Sequence, residues 1–421
     1  MANHKITKIK GREVLDSRGN PTLEVEAYCG KISATAIVPS GASTGIYEAL
    51  ELRDKDKRYL GKGVQKAIKK VQYLSRKLKG FDVTNQKKLD NYIIEIDGTA
   101  KKTKLGANSI LGVSMACCRL ASKCKNKSLY NHLNVLNGNN KPSLPVPFCN
   151  VINGGEHAGN ELAMQEFMIA PVKAKNFSEA TRMVSETYQN LKALIEKKYG
   201  KSATAVGDEG GFAPPIAKAE EALELIRRAI DISGYKNKIS IAMDPAASEF
   251  YLHNNNKYRL HRDYSPKQLK NYYLSLAKRY DIISIEDPFD QDDFDSFNML
   301  KKEAKFQIVG DDLLVTSVDR INIASEKDLC NALLLKVNQI GSVTEAMAAA
   351  HLAMRNKWKV MVSHRSGETE DTFIADLAVA LGCGEIKLGA PCRGERTSKF
   401  NRLLKIEEEL GPGKYKKILR K

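Results

Sequence analysis

One pattern recurs through the second half of this chain: a short Val/Ile/Leu-rich run, then an ionisable residue, then Gly or Pro or a helix-like segment. It appears as Ile-Ser-Ile-Ala-Met-Asp244-Pro245, Ile-Ile-Ser-Ile-Glu286-Asp287-Pro288 and Ile-Val-Gly-Asp311-Asp312. It continues as Leu-Leu-Leu-Lys336-Val, Val-Met-Val-Ser-His364-Arg365 and Glu-Ile-Lys387-Leu-Gly. The ionisable positions are spaced 23 to 42 residues apart, the length of one strand-loop-helix-loop unit. Runs this apolar suit parallel strands buried on both faces. The expected architecture is therefore a β/α barrel, in which the C-terminal strand ends converge on one rim and carry the chemistry.

Lys336 ends the most apolar of these strands, Ala332 to Leu335. A buried ammonium there is paired, reaches back to water, or is held ready for proton transfer. Its neighbours narrow the choice. Asp244, Glu286 and Asp311 are carboxylates at three consecutive strand ends, an all-oxygen set that suits a hard cation such as Mg²⁺ rather than zinc. A nearby cation disfavours the ammonium. One charge at roughly 5 Å and an effective dielectric of about 20 is worth about 3 kcal/mol, or about two pKa units. Lys336 is thus expected to have a lowered pKa and to serve as a base.

The chain has 421 residues, more than one core usually holds, and two domains are expected: an α+β domain over 1–135 and the barrel over 140–421. Ile6 to Val14, Thr22 to Ala27 and Ile32 to Val38 read as strands, Val64 to Lys79 and Asn108 to Lys123 as helices, and Asn137 to Pro142 as a linker. Three glycine-framed loops stand out, around Ser43, His157 and Glu209. No apolar leader and no run of 18 apolar residues is present, and the eight cysteines form no Cys-x-x-Cys pair, so a cytoplasmic protein with reduced thiols and no membrane contact is expected.

The net charge is +17, and residues 1–140 hold 26 Lys/Arg against 12 Asp/Glu. Either the lysines are a dispersed solvated face, which is favoured, or Lys101, Lys102, Lys104, Lys123, Lys125 and Lys127 converge on a polyanion such as RNA. His4, His132, His253, His261 and His351 are read as structural.

Longer motifs carry a resemblance. Asp16-Ser-Arg-Gly-Asn-Pro-Thr, Ser40-Gly-Ala-Ser-Thr-Gly45, Val206-Gly-Asp-Glu-Gly-Gly-Phe-Ala-Pro, Ser284-Ile-Glu-Asp-Pro-Phe289, Leu333-Leu-Leu-Lys-Val-Asn-Gln-Ile-Gly341 and Ser363-His-Arg-Ser-Gly-Glu-Thr-Glu-Asp-Thr372 resemble enolases. The resemblance runs in order from about residue 6 to 413, and is nearest the compact microbial and archaeal forms. It implies reversible dehydration of 2-phospho-D-glycerate to phosphoenolpyruvate, with two Mg²⁺ ions per site and a homo-oligomer, dimer or octamer. By the family pattern Lys336 is the base and Glu209 the acid, with Glu166 on the acid side and His364 nearby. His157, Gln165, Arg365, Ser366 and Lys387 contact substrate. Asp244, Glu286 and Asp311 hold the first metal and Ser43 the second.

Leu388, Glu156 and Pro245 depart from the family pattern without removing a reacting group. A racemase or cycloisomerase of the same superfamily is disfavoured, because such enzymes carry a Lys-x-Lys base motif and lack the Gly-Asp-Glu209-Gly-Gly loop. A non-catalytic, polyanion-binding role would add to catalysis rather than replace it.

Overall fold

The computed structural model of the chain describes residues 4–41, 45–411 and 413–416. Strands β1 (Lys8–Leu15), β2 (Pro21–Cys29) and β3 (Ile32–Ile37) form an antiparallel sheet, with Ile9 opposite Ala27 and Cys29 opposite Ile32. Alternation decides its faces. Leu23, Val25 and Ala27 are buried, while Glu24 and Glu26 point outward to pair with Arg12 at 2.6 and 2.8 Å. Helices α1 (Gln65–Leu78), α2 (Gln86–Asp97), α3 (Ala107–Cys124) and α4 (Leu129–Leu136) follow. Every residue from Ala107 to Cys118 is buried, so along that length α3 lies enclosed between this sheet and the remainder of the chain.

Next come β4 (Val146–Asn153), β5 (Glu166–Ala170), α5 (Phe177–Tyr199), α6 (Ala219–Ile232) and β6 (Ser240–Asp244). A small sheet, β7 (Tyr251–Leu252), β8 (Lys257–Arg259) and β9 (Asp263–Tyr264), precedes α7 (Pro266–Tyr280). Regular alternation then resumes: β10 (Ile282–Glu286), α8 (Phe294–Lys301), β11 (Gln307–Gly310), α9 (Val318–Glu326) and β12 (Ala332–Leu335). The chain continues through α10 (Val337–Ile340), α11 (Val343–Arg355), β13 (Lys359–Ser363), α12 (Phe373–Leu381), β14 (Gly384–Lys387) and α13 (Gly394–Leu410).

Eight strands close into a barrel in the order β4-β5-β6-β10-β11-β12-β13-β14. From β6 onward they run parallel, as the recurring pattern requires, and β14 is parallel to β4. Strand β5 is the exception: it is antiparallel to both neighbours, with Glu166 opposite Asp244. A uniformly parallel barrel is therefore corrected at this one strand. The link from β4 to β5 is short enough to turn back as a hairpin rather than to carry a crossover helix.

Local signals agree with these elements. Ser265 and Gln268 cap α7 reciprocally, with Pro266 at its first position. Ser342 accepts from Glu345 N at 3.2 Å at the start of α11. Gly341 between α10 and α11 has φ +97, where a side chain would be strained and would also meet Ala107.

The first sheet and its helices are pinned to the barrel by polar contacts at two places. At the start of α11, Asp90 Oδ2 accepts from Thr344 N (3.0 Å) and Oγ1 (2.6 Å), Ser114 Oγ accepts from Val343 N, and Lys102 pairs with Glu345 at 2.8 Å. Beside β3, Arg119 grips Asp371 with both Nη atoms, at 2.5 and 2.6 Å. The segment read as a linker is itself anchored, since Asn137 is buried and donates to Ala380 O. Among the described residues no helix is long and apolar enough to cross a membrane.

Candidate active site

The ionisable strand ends meet on one rim. A cavity of about 410 Å³ is lined by His157, Gln165, Glu166, Glu209, Asp244, Asp311, Lys336, His364, Arg365, Ser366 and Lys387. Glu286 lies beneath it, 1% exposed. Every expected residue that is described thus lines one pocket or supports it; Ser43 lies outside the described residues. A roomier cleft of about 970 Å³ at the opposite end of the barrel, near Arg227 and Tyr280, has no comparable set of buried acids and bases.

Lys387 is the electrostatic centre. Its Nζ lies 3.0 Å from Asp244 Oδ2, 2.9 and 3.0 Å from the Glu286 oxygens and 3.0 Å from Glu166 Oε2. Burial opposes its charge, yet Asp244, Glu166 and Glu286 together hold its pKa well above the ordinary lysine value. Glu286 is pushed well up by burial and then by the charge of Asp244. Such mutual repulsion among buried carboxylates is relieved by cations.

Lys336 pairs with Asp311 Oδ2, and Asp311 Oδ1 accepts from Gln339 Nε2 at 2.8 Å. Burial is the largest influence and lowers the lysine's pKa, but Asp311 together with Glu286 turns the net shift upward. The sequence expectation of a lowered value counted a cation beside Lys336, to which Asp311 would turn as a ligand.

On the other side, His157 Nδ1 lies 3.7 Å from both Glu166 Oε1 and Glu209 Oε1. Glu209 Oε2 accepts from Asn150 Nδ2 at 3.1 Å, and His364 Nε2 faces the same oxygen at 3.4 Å. Burial and then the charge of Glu209 hold Glu166 well above the carboxylate range. Burial acts on Glu209 as well, but His364 and His157 outweigh it and hold it well below that range. Glu166 and Glu209 both face His157 Nδ1, and two carboxyls this close share their protons as a pair. His364 is pushed down to about 3, chiefly by burial, and is neutral.

Arg365 is bidentate to Glu48 at 3.1 Å and donates to Asn338 Oδ1 at 2.9 Å, leaving Ser366 buried beside it. Glu48 escaped sequence reasoning because its partner is 317 residues away. Asp287 and Asp312 stood in quoted motifs without a role. Asp287 accepts from the backbone N–H groups of Asp311 and Asp312 at 3.0 and 2.7 Å and thereby shapes that turn.

Among the described residues, the donor groups close enough to share an ion, within 4.8 Å, are His157/Glu166/Glu209 and Asp287/Asp311/Asp312. The expected trio Asp244/Glu286/Asp311 is not so tight, because Lys387 lies between the first two and Asp311 turns to Lys336. Its all-oxygen character still fits a hard cation. Of the departures, Leu388 is fully buried with its N–H on Phe148 O, Glu156 is exposed, and after Pro245 the Ala246 N–H caps Asp244 Oδ1 at 2.9 Å.

A family model described as "Enolase, N-terminal domain" matches residues 6–133, and one described as "Enolase, C-terminal TIM barrel domain" matches residues 141–417. The chain belongs to the enolase family. This enolase is thus a lyase of the superfamily acting on a small molecule, with acidic residues able to take a metal ion at the catalytic rim. The basic surplus of its first third is partly spent internally. Lys102 is 4% exposed and ion-paired, while Lys101, Lys104 and Lys123 donate to the carbonyls of Ile46, Ile96 and Ser33.

Proposed function

We propose that the protein interconverts 2-phospho-D-glycerate and phosphoenolpyruvate using two Mg²⁺ ions. The observation that carries this reading is the placement of a base and an acid pair on one rim, half a barrel apart. Lys336 follows β12 and Glu166 opens β5, and four strand steps separate β12 from β5 in either direction around the eight-stranded ring.

Lys336, as the free amine after losing its own proton to solvent, takes the C2 proton on Nζ, and Asp311 pairs with the ammonium that forms. The electron pair moves toward the substrate carboxylate, and the C3 hydroxyl leaves with a proton from Glu209. Glu209 takes that proton from Glu166, with which it shares His157, before passing it to the leaving hydroxyl. Base and acid on opposite sides remove the two groups from opposite faces. Arg365 and Ser366 hold the phosphate, Lys387 and Gln165 contact the substrate, and His157 closes above it. Asp244, Glu286 and Asp311 would hold the first Mg²⁺ and Ser43 would join the second, supplying the positive charge that a carboxylate-stabilised carbanion needs at neutral pH. A Lys or His base combined with Mg²⁺ is general to this superfamily and is not a finding specific to this chain.

The test is ultraviolet detection of phosphoenolpyruvate formed from 2-phosphoglycerate, with and without Mg²⁺. Lys336→Ala is expected to abolish both turnover and exchange of the C2 proton with solvent. Glu209→Gln is expected to abolish turnover while keeping some exchange. Equal loss of exchange in both variants overturns the assignment.

A further inference from the structure

We infer that Arg396 fixes the tautomer of His364 and so aims an imidazole N–H at Glu209, which makes Arg396 a positioning residue for the acid side of the reaction. The inference rests on the proposed role of Glu209. Arg396 lies in the first turn of α13 with no exposed surface. Its Nη1 donates to His364 Nδ1 and to Arg365 O (2.6 Å), and its Nη2 donates to Asp208 O (2.9 Å) and Ser366 O (2.6 Å).

A guanidinium has donors only and does not lose its charge in a protein. The Nδ1 facing it must therefore accept, and a neutral imidazole must carry its hydrogen on Nε2. That nitrogen faces Glu209 Oε2 at 3.4 Å and has no hydrogen-bond partner among the described residues. Burial and the nearby Arg396 also keep His364 from taking a second proton. The same guanidinium holds the carbonyl just before Glu209 and those of Arg365 and Ser366. One buried side chain therefore keys the acid loop to the segment expected to bind phosphate. It makes no contact with Lys336, so the base should not depend on it.

The test is ¹⁵N NMR of the full-length protein labelled at histidine, combined with kinetics of Arg396→Lys and Arg396→Met. The wild type is expected to show His364 as the Nε2–H tautomer. In Arg396→Met the tautomers should mix and kcat should fall about 10- to 100-fold, with KM little changed and C2 proton exchange retained. Arg396→Lys, still a donor-only cation, should restore the Nε2–H signal and part of kcat. An Nδ1–H or doubly protonated His364 in the wild type overturns the inference. So does an unchanged tautomer in Arg396→Met, even if kcat falls, because the loss would then be structural. Should Arg396→Met not fold, the wild-type spectrum together with Arg396→Lys still decides. A wild type that neither makes phosphoenolpyruvate nor exchanges the C2 proton would instead defeat the proposed function, and the tautomer result would stand apart from it.

Discussion

Replacing Arg119 by Met should loosen the first sheet from the barrel at a calculable cost. Asp371 accepts four hydrogen bonds: two from Arg119, one from Ile37 N at 2.9 Å and one from Phe373 N at 2.8 Å. Its side chain is only 6% exposed, so removing the arginine leaves a buried carboxylate with two backbone donors. Breaking a buried pair from one side costs about 3–5 kcal/mol. The guanidinium also lies 5.6 Å from the Phe373 ring, worth about 0.5–1 kcal/mol more. We expect a loss of about 4 kcal/mol in urea unfolding, followed by circular dichroism and by fluorescence of Trp358, the single tryptophan. Arg119→Met/Asp371→Asn should be more stable than the sum of the single variants allows, because no orphaned charge remains. The pH dependence has a fixed sign. Burial would raise Asp371, but Arg119 outweighs it and the folded pKa is lowered from 3.8, so the stabilisation is complete above the unfolded value and is lost as pH falls through the folded one. A loss under about 1 kcal/mol, against the range for a buried pair, or strict additivity, would refute the reasoning.

Three further outcomes follow from the site and its surroundings. Asp311→Asn and Glu286→Gln should each weaken Mg²⁺ binding in calorimetry and lower activity with the fold retained; unchanged Mg²⁺ dependence contradicts their role as ligands. His132 is buried with neither ring nitrogen partnered, and burial pushes it down from 6.5 to about 4. Its neutral form should therefore stabilise the fold above pH 6.5 by on the order of 3 kcal/mol, lost as pH falls toward about 4, and His132→Leu should flatten that slope in thermal melts. Gly207→Ala should cut turnover without unfolding the barrel, since a Cβ there would sit 2.3 Å from His157 O; normal kinetics would show that the two loops shift independently.

The barrel was legible because each strand announced itself by an apolar run ending in a charge. The direction of β5 was not, because Glu166-Phe-Met-Ile-Ala has the same composition whichever way it runs, and only its pairing with β4 and β6 reverses it. Helix α2 was also missed, since a lone Asn85 cap and a moderately amphipathic run are a weak signal. At the site, local motifs pointed to Lys336, Glu209, Asp244 and Lys387. They could not show Glu48 on Arg365 or Arg396 on His364, because those pairs join distant segments and leave no spacing to read. The contact of Lys336 with Asp311 joins the ends of two strands, and neighbours across strands are what a single sequence conceals.

The reversed strand has a consequence for how this enzyme can change. Most segments on the catalytic rim are tied into crossovers that travel down the outside of the barrel and back, so altering their length disturbs the seating of a helix. The stretch between β4 and β5, which carries His157 and Glu156, begins and ends on the same rim between neighbouring paired strands. Residues can be added to or removed from its tip while the paired strands keep their register. Loop closure makes each doubling of such a stretch worth only about 0.6 kcal/mol. For anyone redesigning the breadth of substrates admitted here, this hairpin is the place where sequence can be rewritten with least disturbance to the scaffold.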